Sequence, residues 1–437
     1  MKEQQESKPK KPNILVRLIA LLVTAALLLG ALVLVVYRDQ FNLDAVKRWL
    51  ALRSVETDAS GAAAPFTHAG GDSISFAYLE GGILQCSAAG AHYYSFSGDQ
   101  YAEEVTPLSQ PVLSASSSAG VVYDAGGESL FLFQDGQEAF SLGVDGTLLS
   151  ARVNDSGWLA VTAQQSGYKG SVTVYNVNST SRKEIIQLNF SSVFVADAAV
   201  SPDSKTVAVI TIGQENGSFF SQLLLYPVDS SEPSATLSLG NLAVLDLDYE
   251  EGLLWVLGED RLLSVAADGS DYETYSFGRS YLKGCHLGGD GFAVLLLGRY
   301  QAGGAEQVLT IDPQCQLIAQ APLRGQVLSF SAAGRYLSLL TGSGLEIYTR
   351  DMSLYRALED TQDARFTALS PNGSALLAIP FFILAGNIMS RSITGKLIDI
   401  CNAIIGHIKG SLSLVTILAS ALFGAISGSG VATASAI

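Results

Sequence analysis

Asn154-Asp155-Ser156-Gly157-Trp158-Leu159-Ala160-Val161 and Ser201-Pro202-Asp203-Ser204-Lys205-Thr206-Val207-Ala208-Val209 are two copies of one unit. Each is a polar turn that opens into an aliphatic strand. The Asp, Ser and Gly side supplies turn geometry, and the Ala-Val side supplies a buried strand. Further copies stand at Gly288–Val294, Ala333–Leu339 and Ser370–Leu377, with weaker ones near Phe76, Val121 and Leu254.

The residues between copies repeat as well. Trp158–Thr162 is followed by Ser171–Val177, Glu184–Leu188 and Val193–Val200, each bounded by turn residues. A later unit has the same order: Tyr336–Leu340, Leu345–Tyr348, Leu354–Leu358, Ala364–Leu369. Four short strands recurring at about 38 to 48 residues mark a β-propeller blade. One blade cannot bury both faces, so blades must stack around an axis. Starts near residues 76, 121, 159, 207, 254, 292 and 336 predict an all-β propeller of about seven four-stranded blades over 66–377. The turn at 371–374 opens a candidate eighth. A β-sandwich is the rival, but it would place turns at shorter intervals without the four-strand recurrence. The last copy runs into membrane-type sequence from Ile379, so the final blade is expected to be irregular, with its break close to Leu377.

Composition narrows the rest. The 437 residues carry a formal net charge of −15, which argues against nucleic acid as a partner, since phosphate binding needs a basic face. A mean hydropathy of +0.30 points to membrane segments. Residues 1–13 form a basic tail, and Ile14 to Tyr37 is almost wholly apolar, long enough for a hydrocarbon core of ~30 Å. The run ends Val35-Val36-Tyr37-Arg38-Asp39, without the small-residue site of a cleaved signal peptide, which is the competing reading. It therefore reads as a transmembrane anchor with a cytoplasmic N-terminus and an extracytoplasmic propeller. Residues 38–65 read as a juxtamembrane helix and linker. Ala378–Met389 and Ser411–Ile426 are apolar, and the stretch between them reads as an amphipathic helix.

No G-x-S-x-G, H-E-x-x-H, Walker loop or G-x-G-x-x-G is present, so no catalytic residue is assigned and an enzyme is not expected. His68, His92, His286 and His407 are dispersed and read as turn or surface residues. Cys86, Cys285, Cys315 and Cys401 form no C-x-x-C pair. Cys86 could pair with Cys285 or Cys315, although buried free thiols fit better. Asp246, Asp248 and Glu250 alternate along one strand face; a cation site and a solvated strand end both fit, the second more simply. Asp268-Gly269-Ser270-Asp271 is too short for a calcium loop and reads as a β-turn. Tyr93, Tyr94, Phe96 and Tyr101 read as packing residues of the first blade.

Two resemblances add to this. Residues 10–377, with the S-P-D-x-K/G-x-x-A-V unit, resemble an uncharacterised bacterial family of single-pass membrane-anchored β-propeller proteins. Residues 378–437 resemble a fragment of the large permease subunit of TRAP-type dicarboxylate transporters. The residues that carry it are Ile379–Met389, Leu397-Ile398-Asp399, Gly406–Gly410 and Ala425–Thr433. That resemblance implies a membrane hairpin with Ser427, Gly428, Ser429 and Thr433 at its tip, near Na⁺ and substrate. Unwound carbonyls and hydroxyls there would ligate the ion. It also implies a small membrane subunit and a solute-binding protein as partners. A small-residue patch for helix packing is the other reading of Ser427–Gly430. The family's second inverted repeat has no counterpart here, so an incomplete or joined permease element is expected. The first functional expectation is therefore a membrane-anchored binding or scaffold module with an unknown extracytoplasmic partner. The alternative is a component of a Na⁺-coupled TRAP-type organic acid transporter.

Overall fold

The computed structural model describes residues 63, 65–70, 73–179, 183–250, 252–358, 361–373 and 375–380. The chain divides into Met1–Ala64 and Pro65–Ile437, and everything below concerns the second unit. Of the expected helical segments, 14–37 lies outside the described residues, as does all of 38–65 but residues 63 and 65 and all of 378–437 but 378–380, which are strand rather than membrane helix. Within the described residues every regular element is a strand, thirty in all.

Seven antiparallel sheets have four strands each, in sequence order, and an eighth has two. The first strand of each sheet packs on the first strand of the next: β1 (Ser75–Leu79), β5 (Pro111–Ala115), β9 (Thr147–Val153), β13 (Phe194–Val200), β17 (Val244–Glu250), β21 (Tyr281–Gly289), β25 (Val327–Ala333) and β29 (Ala364–Leu369). These strands line the axis. The second-strand sequences explain the core. Leu159, Ala160 and Val161, then Val207, Ala208, Val209 and Ile210, are buried, because a second strand is covered on both faces by neighbouring blades. The outermost strands alternate exposed and covered residues, as in Ala235–Gly240.

The recurring turn joins the first strand of a blade to the second. The sequence grouping of Trp158–Val200 as one unit is thus out of frame by one strand, since β13 belongs to the following blade. These turns also tie the blades together. Ser117 donates from its backbone N and its Oγ to Asp155 Oδ1 at 2.8 and 2.6 Å. Asn154 Nδ2 donates to the Ser201 carbonyl at 2.8 Å and to Ser204 Oγ at 3.0 Å. The Asp290 N–H donates to the Gly334 carbonyl at 2.8 Å. Gly334 has φ +55, and a Cβ there would meet the Asn372 carbonyl oxygen at 2.7 Å, so only glycine fits between blade seven and the last sheet.

The eighth sheet holds only β29 and β30 (Leu376–Pro380) among the described residues. The sequence expects an irregular last blade; among the described residues this sheet has two strands, and the residues that follow lie outside them. Strand β30 continues three residues past the expected boundary, pairing Ala378, Ile379 and Pro380 with β29. Strand β29 packs between β25 and β1. Beside it, Phe66 stacks on Tyr94 at 5.8 Å, the Ala69 N–H donates to the Tyr94 hydroxyl at 2.8 Å, and Gln85 Nε2 donates to the Ala69 carbonyl at 2.6 Å. The segment before β1 therefore lies against the flank of blade one.

Candidate functional site

Two polar assemblies stand out. The first lies on the axis. Six of the eight first strands, β9, β13, β17, β21, β25 and β29, carry a register shift near their start. A bulge of this kind adds one residue and re-aims the side chains around it. Past the bulge, β9 places Arg152, β13 places Asp197 and β17 places Asp246. Arg152 Nε donates to Asp197 Oδ2 at 2.8 Å, and Nη2 reaches Asp197 Oδ2 at 2.6 Å and Asp246 Oδ1 at 2.5 Å. One guanidinium thus bridges the third, fourth and fifth blades. Burial opposes its charge, but Asp197 and Asp246 outweigh this and hold Arg152 protonated.

Asp248 follows on the same face of β17. Burial pushes its carboxyl up to about 6, against the pull of Arg152. On β21 the neighbouring His286 is pushed down to about 4, again by burial, with Asp246 opposing. Its Nδ1 accepts from the Gly288 N–H at 3.2 Å. Burial, with Asp246 and Asp248, raises the Cys285 thiol well above its ordinary value, so this cysteine is a poor nucleophile. The Asp246–Asp248–Glu250 face is therefore not a simple solvated strand end. Asp246 is engaged by Arg152, and Asp248 sits beside the charge cluster. Among the described residues no group of His, Cys, Asp or Glu is arranged to hold a metal ion.

The second assembly is a cleft of about 620 Å³ lined by Arg279, Ser280, Arg299, Glu306, Gln307 and Gln320, with Ala321 and Pro322. The connection before β21 supplies Arg279 and Ser280, and blade six supplies the others. Arg299 Nε is 3.9 Å from Glu306 Oε2, with both side chains half or more exposed, so this pair is screened and weak. The cleft offers guanidinium, amide and hydroxyl donors and is suited to anionic groups.

The site residues expected from the sequence, Ser427, Gly428, Ser429 and Thr433, lie outside the described residues. Cys86 and Cys315 are buried free thiols, and Cys285 is also free. The 268–271 segment is a turn, with Asp268 Oδ1 accepting from the Ser270 N–H at 3.0 Å. Tyr93 is buried with its ring 6.4 Å from Phe133, and Tyr78 stacks on Phe96, so that cluster is packing. Sequence reasoning passed over Arg152 and Asp197. Their signal was a lone charge inside an otherwise apolar first strand, Leu148–Val153 and Phe194–Val200.

Comparison with known proteins finds two families, in intervals that differ from the expected 10–377 and 378–437. Residues 64–238 match the profile of a family described as "Family of unknown function (DUF5711)". Residues 337–437 match that of "Tripartite ATP-independent periplasmic transporter, DctM component". The described part of this second interval, from Leu337 to Pro380, forms propeller strands. The uncharacterized protein YgiK of Salmonella typhimurium is 54% identical over 67 residues, 15% of this chain and 15% of that protein. The C4-dicarboxylate TRAP transporter large permease protein DctM of Pseudomonas aeruginosa is 49% identical over 63 residues, 14% of this chain and 15% of that protein. The chain thus spans about 15% of the length of these curated relatives. Among solved structures, the C-terminal WD40 domain of Sif2 aligns with a TM-score of 0.49 at 12% identity, over 71% of this chain and 96% of that one. BamB from Moraxella catarrhalis aligns with a TM-score of 0.44 at 12% identity, over 72% and 95%. Among the described residues no helix is long and apolar enough to cross a membrane.

Proposed function

We propose that this protein is a membrane-tethered, extracytoplasmic propeller that acts as a binding module, and that its cleft in blade six receives an anionic group. The observation that carries this reading is the lining of that cleft, with Arg279 and Arg299 beside Gln307, Gln320 and Ser280. Apart from the Glu306 carboxylate, which faces Arg299, these groups offer donors in a rigid sheet framework. No nucleophile paired with a base is among them, so binding rather than turnover is the function they support. The apolar run at 14–37 and the basic tail before it supply the tether and its orientation.

Calorimetric titration of the full-length chain in detergent, with succinate and with inorganic phosphate, tests the cleft. Saturable binding that falls about tenfold or more in the Arg279→Gln/Arg299→Gln double variant supports the reading. Binding of neither probe, or binding indifferent to the double substitution, overturns it. External protease on spheroplasts tests the orientation: a propeller protected from digestion would reverse it.

A second reading is favoured by the DctM-type match at 337–437. In it the chain contributes to a Na⁺-coupled organic acid transporter, with Ser427, Gly428, Ser429 and Thr433 at the ion and substrate site. A small membrane subunit and a solute-binding protein would then be partners. Na⁺-dependent uptake by vesicles holding the full-length chain, lost in Ser429→Ala, would favour this reading over the first.

A further inference from the structure

The blades have two ends. At one, the recurring turns join first to second strands. At the other, here the mouth, the first strands begin and the second-to-third loops cluster. The mouth is chemically unlike the turn end.

The bulges near the mouth each display one residue that has no partner across the ladder. These include Leu149 on β9, Leu245 on β17, Lys283 on β21 and Arg365 on β29. Leu245 is 58% exposed, and Phe194, the first residue of β13, is 51% exposed. The hairpin of β14 (Thr206–Glu215) and β15 (Ser218–Pro227) is longer than its counterparts. It runs three residue pairs beyond Phe194↔Ile212, about 10 Å, and turns at Asn216-Gly217. Phe219 sits beside that tip and is 68% exposed. At the turn end, by contrast, the exposed large apolar side chains among the described residues (Tyr101, Tyr272, Leu317, Leu354, Tyr355) all lie on outermost strands.

Cations share the mouth. Lys169 lies over the Phe194 ring at 5.1 Å, and Arg279, Arg299 and Arg324 stand in loops there. Acids share it too: Asp260 is engaged by Arg261 at 2.7 Å and Glu306 faces Arg299, and Glu128, Asp145, Glu215, Glu259 and Asp363 stand at the same end. An arc of Leu and Phe beside Lys and Arg, in a chain of net charge −15, is the pattern of a surface that meets anionic lipid. A further observation concerns the chain path. Strand β30 ends at Pro380, opposite Ala364, the first residue of β29, and so at the mouth. The sequence from Ala378 to Met389 carries no charge, so an uncharged apolar stretch includes the strand end that stands at the mouth.

We propose that the mouth of the propeller is a bilayer-docking face, with Phe219, Phe194 and Leu245 entering the interface and Lys283, Arg279 and Arg299 meeting anionic headgroups. This rests on the membrane-tethered reading above and names the partner of the same cleft. A protein partner could use similar side chains, but it would not account for an uncharged apolar sequence beginning where the described chain ends at the mouth.

The test uses the full-length chain reconstituted in phosphatidylcholine vesicles with and without phosphatidylglycerol. A photo-reactive p-benzoylphenylalanine replaces Phe219 or Leu245 at the mouth, or Leu354 or Tyr355 at the turn end. These positions are all exposed, so folding is not at stake. After irradiation, lipid adducts at 219 and 245 and not at 354 or 355 are expected. Their yield should fall about tenfold in Arg279→Gln/Arg299→Gln in the phosphatidylglycerol vesicles. Adducts to protein alone at 219 and 245, or equal lipid labelling at both ends, overturn the docking face while leaving the tether intact. A chain that fails to float with the vesicles overturns the tether and the docking face together.

Discussion

Phe76 in β1 and Phe366 in β29 meet with ring centroids 5.5 Å apart, and this contact joins the first sheet of the ring to the last. His68 packs edge-on against the other side of Phe76 at 5.1 Å. The seam thus carries aromatic contacts beside a sheet that has two strands among the described residues. An aromatic pair contributes roughly 0.5–1.5 kcal/mol beyond its buried area. A double-mutant cycle on Phe76→Leu and Phe366→Leu, followed by denaturant unfolding, should return a coupling energy in that range. A coupling near zero would mean that the seam is held elsewhere.

Asn154 works in two directions. Its Oδ1 accepts from the Ser156 and Trp158 N–H groups at 3.0 and 2.9 Å, which shapes its own turn, and its Nδ2 reaches the next blade at Ser201 and Ser204. Asn154→Asp keeps the acceptor and loses the inter-blade donor. Asn154→Ala loses both. At roughly 0.5–1.5 kcal/mol per net hydrogen bond, the Ala variant should be less stable than the Asp variant by about 1–2 kcal/mol. Equal losses would show that only the inter-blade bonds count.

Arg152 neutralises carboxylates from two further blades. Its removal leaves Asp197 and Asp246 facing one another without compensation. Breaking a fully buried pair costs about 3–5 kcal/mol. Asp246 keeps 40% of its side chain exposed, so solvent screens part of this. Arg152→Gln should therefore destabilise the protein by about 2 kcal/mol at neutral pH. Thermal unfolding of variant and parent at low and at high salt should show a smaller deficit at high salt, where the repulsion between the two carboxylates is screened.

Asp248 and His286 make opposite contributions to pH dependence. The Asp248 carboxyl lies at about 6 in the folded protein, above its ordinary 3.8, so its contribution is complete below about pH 4 and is lost as pH rises through 6. His286 lies at about 4, below its ordinary 6.5, so its contribution is complete above 6.5 and is lost as pH falls through 4. The two effects offset each other between pH 4 and 6. Relative to the parent, Asp248→Asn should gain in melting temperature as pH rises over that window. His286→Gln should gain as pH falls. Parallel curves for either variant and the parent would refute the assignment for that residue.

The blade count was legible because a turn-and-strand repeat prints its period directly. Tyr93, Leu159 and Val207 were equally legible as core, since local apolar runs show burial without reference to any partner. The last copy of the turn, Ser370-Pro371-Asn372-Gly373, was legible too, but its strand runs on to Pro380 rather than breaking near Leu377. The axial cluster was not. Arg152, Asp197 and Asp246 lie in three different blades, and nothing in any one strand says that three first strands converge on an axis.

The sequence by itself determined the strands and their number per repeat, because these follow from local turn chemistry and period-two patterning. The tertiary structure decided the phase of the repeat. A periodic string reads the same from any starting strand, and only stacking around the axis shows that β13 opens a blade rather than ending one. It also decided what Arg152 does. A lone arginine in an apolar strand is costly until carboxylates from the two following blades meet it, and those partners are supplied by the ring.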